Sequence, residues 1–116
     1  MGKGWLERAL LASLLLLLGA LPAVALSRYP ALSDAAGPPQ TLTIVGTTDE
    51  PLFRDFIAGF QRLHPQVTVI YAESDTRPIF EGVIAGNLDP KPDVIVSSAA
   101  DLQMKLANDG YALAYH

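Results

Sequence analysis

The chain has 116 residues, an apolar fraction of 50%, a formal net charge of −4 and no cysteine. This length corresponds to one domain at most. The lack of cysteine excludes a disulfide framework, a thiolate metal site and a catalytic thiol. From Leu26 onward the charge is −5, because six basic residues face eleven acidic ones. An acidic chain without a basic stripe cannot neutralise phosphates, so we expect no nucleic acid partner.

Residues 1–25 have the order of a secretory signal peptide. Lys3 and Arg8 give a positive start, an apolar run follows from 9 to 21, and small residues precede a cut after Ala25. The alternative is an uncleaved anchor, but a spanning helix needs about 20 apolar residues, and this run is shorter. The sequence therefore predicts export to the periplasm or another extracytoplasmic space.

The segment after the predicted cut contains three prolines and no periodic apolar face. We interpret residues 26–40 as a flexible leader and residues 41–116 as the folded part. Its first unit is a strand at 42–45 and a helix that opens at Pro51, since a proline fits a first helical turn. Helical spacing predicts a wide apolar face on this helix. Its members are Leu52, Phe53, Phe56, Ile57, Phe60 and Leu63.

Two further units repeat the pattern of a strand followed by a helix. The second has a strand at 67–71 and a helix ending at Gly86, and the third has a strand at 93–96 and a helix over 99–108. Alternating strands and helices predict an α/β fold with a parallel sheet and helices on both faces. Apolar strands at the edges of so small a sheet would be a liability, so we expect a truncated piece of a larger protein.

Each predicted strand is followed by a short polar cluster that leads into a helix. In open parallel sheets, ligands bind beyond the carboxyl ends of the strands. Helix N-termini and hydroxyls suit anionic or polyhydroxylated ligands, whereas the carboxylates suit sugar hydroxyls, ammonium groups or hard metal ions. The plainer alternative is helix capping, and two pairs have capping-box spacing. The clusters are 47–49, 73–75 and 97–98, and the pairs are Thr47 with Glu50 and Ser98 with Asp101.

Motifs of common enzymes are missing from the sequence. There is no dinucleotide fingerprint, no phosphate-binding P-loop and no nucleophile elbow. The histidines, His64 and His116, have no suitably spaced partner. We therefore expect no catalytic residue, no cofactor, no metal held by this chain, and a protein that is not an enzyme.

Residues 92–112 resemble a segment of the extracellular solute-binding proteins of ABC transporters. The similarity is to family 1, the group of ferric-iron and phosphorylated-sugar binders with the type II periplasmic fold. Residues 41–48 and 60–65 are similar to that family's opening unit. The resemblance implies a partial first lobe, built of three βα units with a parallel sheet in the order 2-1-3.

The same resemblance implies a function. Such proteins capture a small polar or anionic solute, here a phosphorylated sugar, another anion or ferric iron, and deliver it to an ABC permease in the membrane. Carried over by position, it implies ligand contacts at Thr47, Thr48, Ser74, Asp75, Ser97, Ser98 and Ala99. The family's second lobe is absent from this chain, and half a cleft is expected to bind weakly.

Two other functions remain open from the sequence. The chain is alternatively the N-terminal part of a secreted α/β enzyme whose catalytic residues lie beyond residue 116, or a small exported protein complete as it stands. The downstream nucleotide sequence distinguishes them. A second α/β lobe supports binding, whereas a nucleophile motif supports an enzyme.

Overall fold

A computed structural model of the protein describes residues 25–35 and 37–114. The elements, in chain order, are β1 (Ala25–Tyr29), β2 (Gln40–Gly46), α1 (Glu50–Leu63), β3 (Val67–Glu73), α2 (Thr76–Ala85), β4 (Val94–Val96) and α3 (Ala100–Asn108). The three predicted strand–helix units are confirmed. Apart from Ala25, the predicted signal peptide lies outside the described residues.

The strands form one mixed sheet in the order β1-β3-β2-β4. Strand β2 pairs in parallel with β3 on one side and with β4 on the other, whereas β1 pairs with β3 antiparallel. The predicted sheet of three parallel strands in the order 2-1-3 is therefore wrong, because a fourth, antiparallel strand is added. The fourth strand forms because the backbone N–H and C=O groups on the outer edge of β3 would otherwise have no hydrogen-bond partner.

The predicted flexible leader is wrong for its first residues. Ala25 pairs with Glu73 and Tyr29 pairs with Val69, so residues 25–29 form a strand along residues 69–73 of β3. The three prolines all follow this strand, where they do not interrupt its hydrogen bonds. At the other end of the predicted leader, Gln40 is the first residue of β2.

Two apolar cores cover the two faces of the sheet. Successive residues of a strand point to opposite faces, so Ile44 packs with Val69 on one face and Val45 packs with Ala72 on the other. Helix α1 contributes Ile57 to the first core. Helix α2 contributes Ile79 to the second, and α3 lies beside α2.

The apolar face predicted for α1 is only partly buried. Ile57 is 2% exposed, and Phe53 and Phe60 pack against the first core. The remaining members of this predicted apolar face point away from the sheet and are exposed. They are Leu52, Phe56 and Leu63, with exposures of 68%, 73% and 78%.

The C-terminal ends of α2 and α3 have the same backbone arrangement. Gly86 follows α2 with a φ of 69°, and Gly110 follows α3 with a φ of 85°, a left-handed conformation that favours glycine. At α2 the N–H of Asn87 donates to the carbonyl of Gly82 at 3.1 Å, as in a Schellman motif. Both helices therefore stop where the sequence places a glycine.

In the part of the chain that the structure describes, no helix combines the length and the apolar character needed to cross a bilayer.

Candidate functional site

The carboxyl ends of the three parallel strands lie side by side. Gly46, the last residue of β2, is in register with Glu73 of β3 and with Val96 of β4. The pairing continues one residue further, since the Ser74 N–H donates to the Gly46 carbonyl at 2.9 Å and the Thr47 N–H donates to the Val96 carbonyl at 3.1 Å. We call this edge, formed by residues 46–50, 73–76 and 96–100, the rim.

The rim contains all seven positions predicted as ligand contacts. Thr47 and Thr48 leave β2, Ser74 leaves β3, and Ser97 leaves β4. These four residues are half-buried. Asp75 and Ser98 are exposed, and Ala99 is half-buried. The order of strands thus brings together groups that are up to 52 residues apart in sequence.

The loop after β2 is held by a residue that the sequence did not point to. Tyr71 of β3 is fully buried, and its hydroxyl donates a hydrogen bond to the carbonyl of Thr48. Its ring stacks on Phe53 of α1, with a centroid distance of 4.8 Å. Tyr71 therefore fixes the start of the loop against both the sheet and the helix. In the sequence it is only one of several β-formers in a strand.

Burial raises the pKa of the Tyr71 hydroxyl, the hydrogen bond with the Thr48 backbone lowers this pKa, and the nearby carboxylates of Glu73, Asp49 and Glu50 raise it. Burial and the carboxylates, which act against the negative phenolate, outweigh the hydrogen bond. The hydroxyl is thus kept protonated, which is the form that donates to Thr48.

The first turn of α1 receives a carboxylate from the neighbouring strand. The backbone N–H of Glu50 donates to Oε2 of Glu73 at 3.0 Å. The predicted capping box of Thr47 and Glu50 is wrong, because Glu50 is itself the first helical residue and Asp49 is the N-cap. The Glu50 carboxylate instead forms an ion pair with Arg54, one turn along the helix, at 3.0 Å.

The other two helices begin differently. Ala99 is the N-cap of α3, so the predicted capping box of Ser98 and Asp101 is also wrong. The Ser97 hydroxyl oxygen accepts from the Ala99 N–H at 3.1 Å and shapes the turn into the helix. At α2 the N-cap is Asp75, whose side chain makes no capping hydrogen bond.

The rim carries more acidic than basic side chains. The carboxylates of Asp49, Glu50, Glu73 and Asp75 lie along its β2 and β3 side, and Arg54 neutralises Glu50. Within residues 25–35 and 37–114, no group of three His, Asp or Glu side chains is arranged to hold a metal ion. The arrangement offers hydroxyls, backbone N–H groups and carboxylates, which are suited to hydrogen bonding rather than to covalent chemistry.

A separate cavity of about 800 Å³ lies between α2, α3 and the start of β4. Its walls include Val83, Leu106 and Tyr111, and they contain none of the seven predicted contact residues. The rim is therefore a surface of its own, distinct from this mostly apolar space.

No protein-family profile matches the chain, and no curated protein does. Among solved structures, the chain is similar to the substrate-binding protein of an ABC transporter from Agrobacterium tumefaciens. The two share 36% sequence identity with a TM-score of 0.71, over 84% of this chain and 29% of the solved one. The chain thus spans under a third of that protein's length. Over this span, its fold and more than a third of its aligned residues are those of a transporter's substrate-binding protein.

Proposed function

We propose that this chain is part of the substrate-binding component of an ABC importer. It captures a small polar or anionic solute outside the cytoplasmic membrane and delivers it to a permease. The protein binds and releases its solute and performs no chemistry on it. The segment at 1–25 is proposed to direct its export and to be removed afterwards.

The observation that carries this proposal is the junction of three strand ends at the rim. Gly46 pairs with both neighbours at its own position, so the loops that follow β2, β3 and β4 lie side by side. Binding at the carboxyl ends of parallel strands is the usual arrangement in open α/β sheets. The likeness to a substrate-binding protein at 36% identity supports a binding role over an enzymatic one.

The groups at the rim suggest the class of solute. Threonine and serine hydroxyls at residues 47, 48, 74, 97 and 98 are suited to sugar hydroxyls and to the oxygens of phosphorylated sugars. Helix N-termini favour negative charge. Phosphorylated sugars, other small anions and ferric iron as a chelate are therefore the solutes to examine first.

We further propose that the rim is one wall of a cleft. Small-molecule sites usually bury most of the ligand between two or more surfaces, whereas the rim is a single edge. This chain by itself is then expected to bind its solute weakly, with millimolar rather than micromolar affinity.

The proposal is tested by titrating the ¹⁵N-labelled chain with glucose 6-phosphate, glucose and ferric citrate. We expect at least one probe to shift the backbone amides of Thr47, Ser74 and Ser98 together, in a saturable manner. The Ser98→Ala variant removes an exposed hydroxyl at the rim and should weaken this response. Thr41→Ala is its matched control, because Thr41 is exposed at the opposite end of β2. Shifts confined to the cavity between α2 and α3, or none with any probe, would contradict the proposal.

A further inference from the structure

Residues 50–52, in the first turn of α1, have no backbone N–H left for a ligand. A helix begins with N–H groups that have no partner inside the helix, and these are what attract anions. In α1 the N–H of Glu50 donates to Glu73 Oε2 at 3.0 Å. Pro51 has no N–H. The N–H of Leu52 donates to the Asp49 carbonyl at 3.0 Å.

The group that occupies this terminus is itself negatively charged. The Glu73 carboxylate reaches across from the end of β3 and takes the position in which an anionic ligand would be stabilised by the helix dipole. The Glu50 side chain, only 18% exposed, lies at the same helix turn, where its carboxylate is paired with Arg54. An incoming anion would therefore meet both an occupied donor and like charge.

The N-terminus of α3 provides a contrast on the same rim. There the N–H of Ala100 donates to the Ser98 carbonyl at 3.0 Å, and that of Gln103 donates to the Ala99 carbonyl at 3.1 Å. Within the described part of the chain, the two N–H groups between them, of Asp101 and Leu102, have no acceptor. In the described part of the chain, α1 and α3 thus differ in which N–H groups of the first turn are left for a ligand, although both helices start at the same edge of the sheet.

We infer that Glu73 is a selectivity residue, which closes the α1 side of the rim to anions. This inference rests on the proposed binding function and narrows it. The part of the solute that lies against residues 46–50 is uncharged or cationic. A solute with an anionic group, such as a sugar phosphate, is then oriented with that group away from α1.

The test uses inorganic phosphate and the backbone amide of Glu50 in the full ¹⁵N-labelled chain, at constant ionic strength set with chloride. In the wild type, the Glu50 amide should show no saturable shift. Glu73→Ala removes both the acceptor and the charge, and Glu73→Gln removes the charge while keeping an acceptor. We expect phosphate to produce a saturable shift at Glu50 in Glu73→Ala, with an affinity at least about fivefold above the detection limit that the wild type sets, and Glu73→Gln to fall between the two.

Asp55→Asn is the matched control, because it removes one negative charge from an exposed position on α1 and should leave the Glu50 amide unresponsive. If Glu73→Ala does not fold, Glu73→Gln carries the comparison alone. Equal responses in the wild type and the Glu73 variants, or an equal gain in Asp55→Asn, would overturn the inference. The readout needs only phosphate, so it is independent of whether any sugar or iron chelate binds the rim.

Discussion

The Tyr71 hydroxyl donates a hydrogen bond to the Thr48 carbonyl, which joins two positions 23 residues apart. Tyr71 belongs to β3, and Thr48 belongs to the loop between β2 and α1. The tyrosine ring also stacks on Phe53 of α1. One buried side chain therefore connects the sheet, the helix and the loop that carries two of the predicted contact residues.

Replacing Tyr71 with phenylalanine tests this connection. The change keeps the ring and removes the hydroxyl, which leaves the Thr48 carbonyl without that donor. We expect the free energy of unfolding in urea to fall by about 1 kcal/mol, with faster amide hydrogen exchange in the 47–49 loop. Tyr111→Phe, at a half-exposed site after α3, should change neither quantity. Unaltered exchange in the loop of Tyr71→Phe would show that the hydroxyl does not fix it.

Gly46 is needed because Tyr71 lies directly against it. A methyl group at position 46 would be 2.5 Å from the tyrosine oxygen and 3.0 Å from the nearest ring carbon. Since Tyr71 is buried and cannot swing away, we expect Gly46→Ala to cost about 1–3 kcal/mol of stability, measured by urea unfolding.

The same substitution in a Tyr71→Phe background should cost less, because the closest clashing atom is gone. Gly59→Ala is the control for a glycine without such a neighbour. Its added methyl would approach only the end of the Arg62 side chain, at 3.6 Å, so in the middle of α1 it should raise stability by about 0.5–1 kcal/mol. Equal costs for Gly46→Ala in both backgrounds would mean that the clash lies elsewhere.

The sequence was sufficient to predict the rim but not the contacts that shape it. Hydrophobic runs and glycines locate β2, β3 and β4, and parallel pairing then places their carboxyl ends together whatever the loop details. The contacts of Tyr71 with Thr48 and of Glu73 with Glu50 depend on how two distant segments approach each other. No local pattern encodes that approach.

The same distinction explains the errors in the fold. Residues 25–29 have no strong strand pattern of their own and form β1 because β3 provides an edge to pair with. Local sequence patterns therefore did not predict this strand. On α1, an apolar face spanning Leu52 to Leu63 is wider than the contact with the sheet. Helical spacing alone does not tell that Ile57 faces inward and Phe56 outward.

Gln61 joins α1 to two strands through a single amide group. It is 4% exposed, and its Nε2 donates to the carbonyls of Tyr29, Pro30 and Val67 at 3.0–3.1 Å. Gln61→Leu keeps similar volume but removes both N–H donors that these three carbonyls share. We expect a loss of about 2–3 kcal/mol in the free energy of unfolding, because buried carbonyls are left without a partner.

Arg62→Leu is the matched control for Gln61→Leu, since Arg62 is the adjacent, exposed residue of the same helix. It should change stability by less than about 0.5 kcal/mol. If both variants unfold at the same urea concentration, the Gln61 hydrogen bonds do not hold β1 in place.

Removal of the Tyr29 hydroxyl is expected to raise the stability of the protein rather than to lower it. Its hydroxyl oxygen is buried and, among the described residues, has no hydrogen-bond partner, while its ring packs against the core beneath α1. Tyr29→Phe removes an unsatisfied polar atom and keeps the ring. Stability should therefore rise by about 1 kcal/mol in urea unfolding. A destabilised variant would indicate that the hydroxyl has a partner in solution.

The raised pKa of Tyr71 predicts how stability depends on alkaline pH. In the unfolded chain this hydroxyl ionises near its ordinary value of about 10, whereas in the folded chain burial holds the proton to higher pH. Between the two values the folded state binds more protons than the unfolded state, so stability falls as pH rises. The contribution is fully present below the unfolded pKa and is lost as pH passes through the folded one. Urea unfolding of the wild type and Tyr71→Phe from pH 8 to pH 11.5 measures this contribution of the Tyr71 hydroxyl to stability. The difference in stability between the two should shrink as pH rises above about 10, and a constant difference would show that Tyr71 titrates alike in both states.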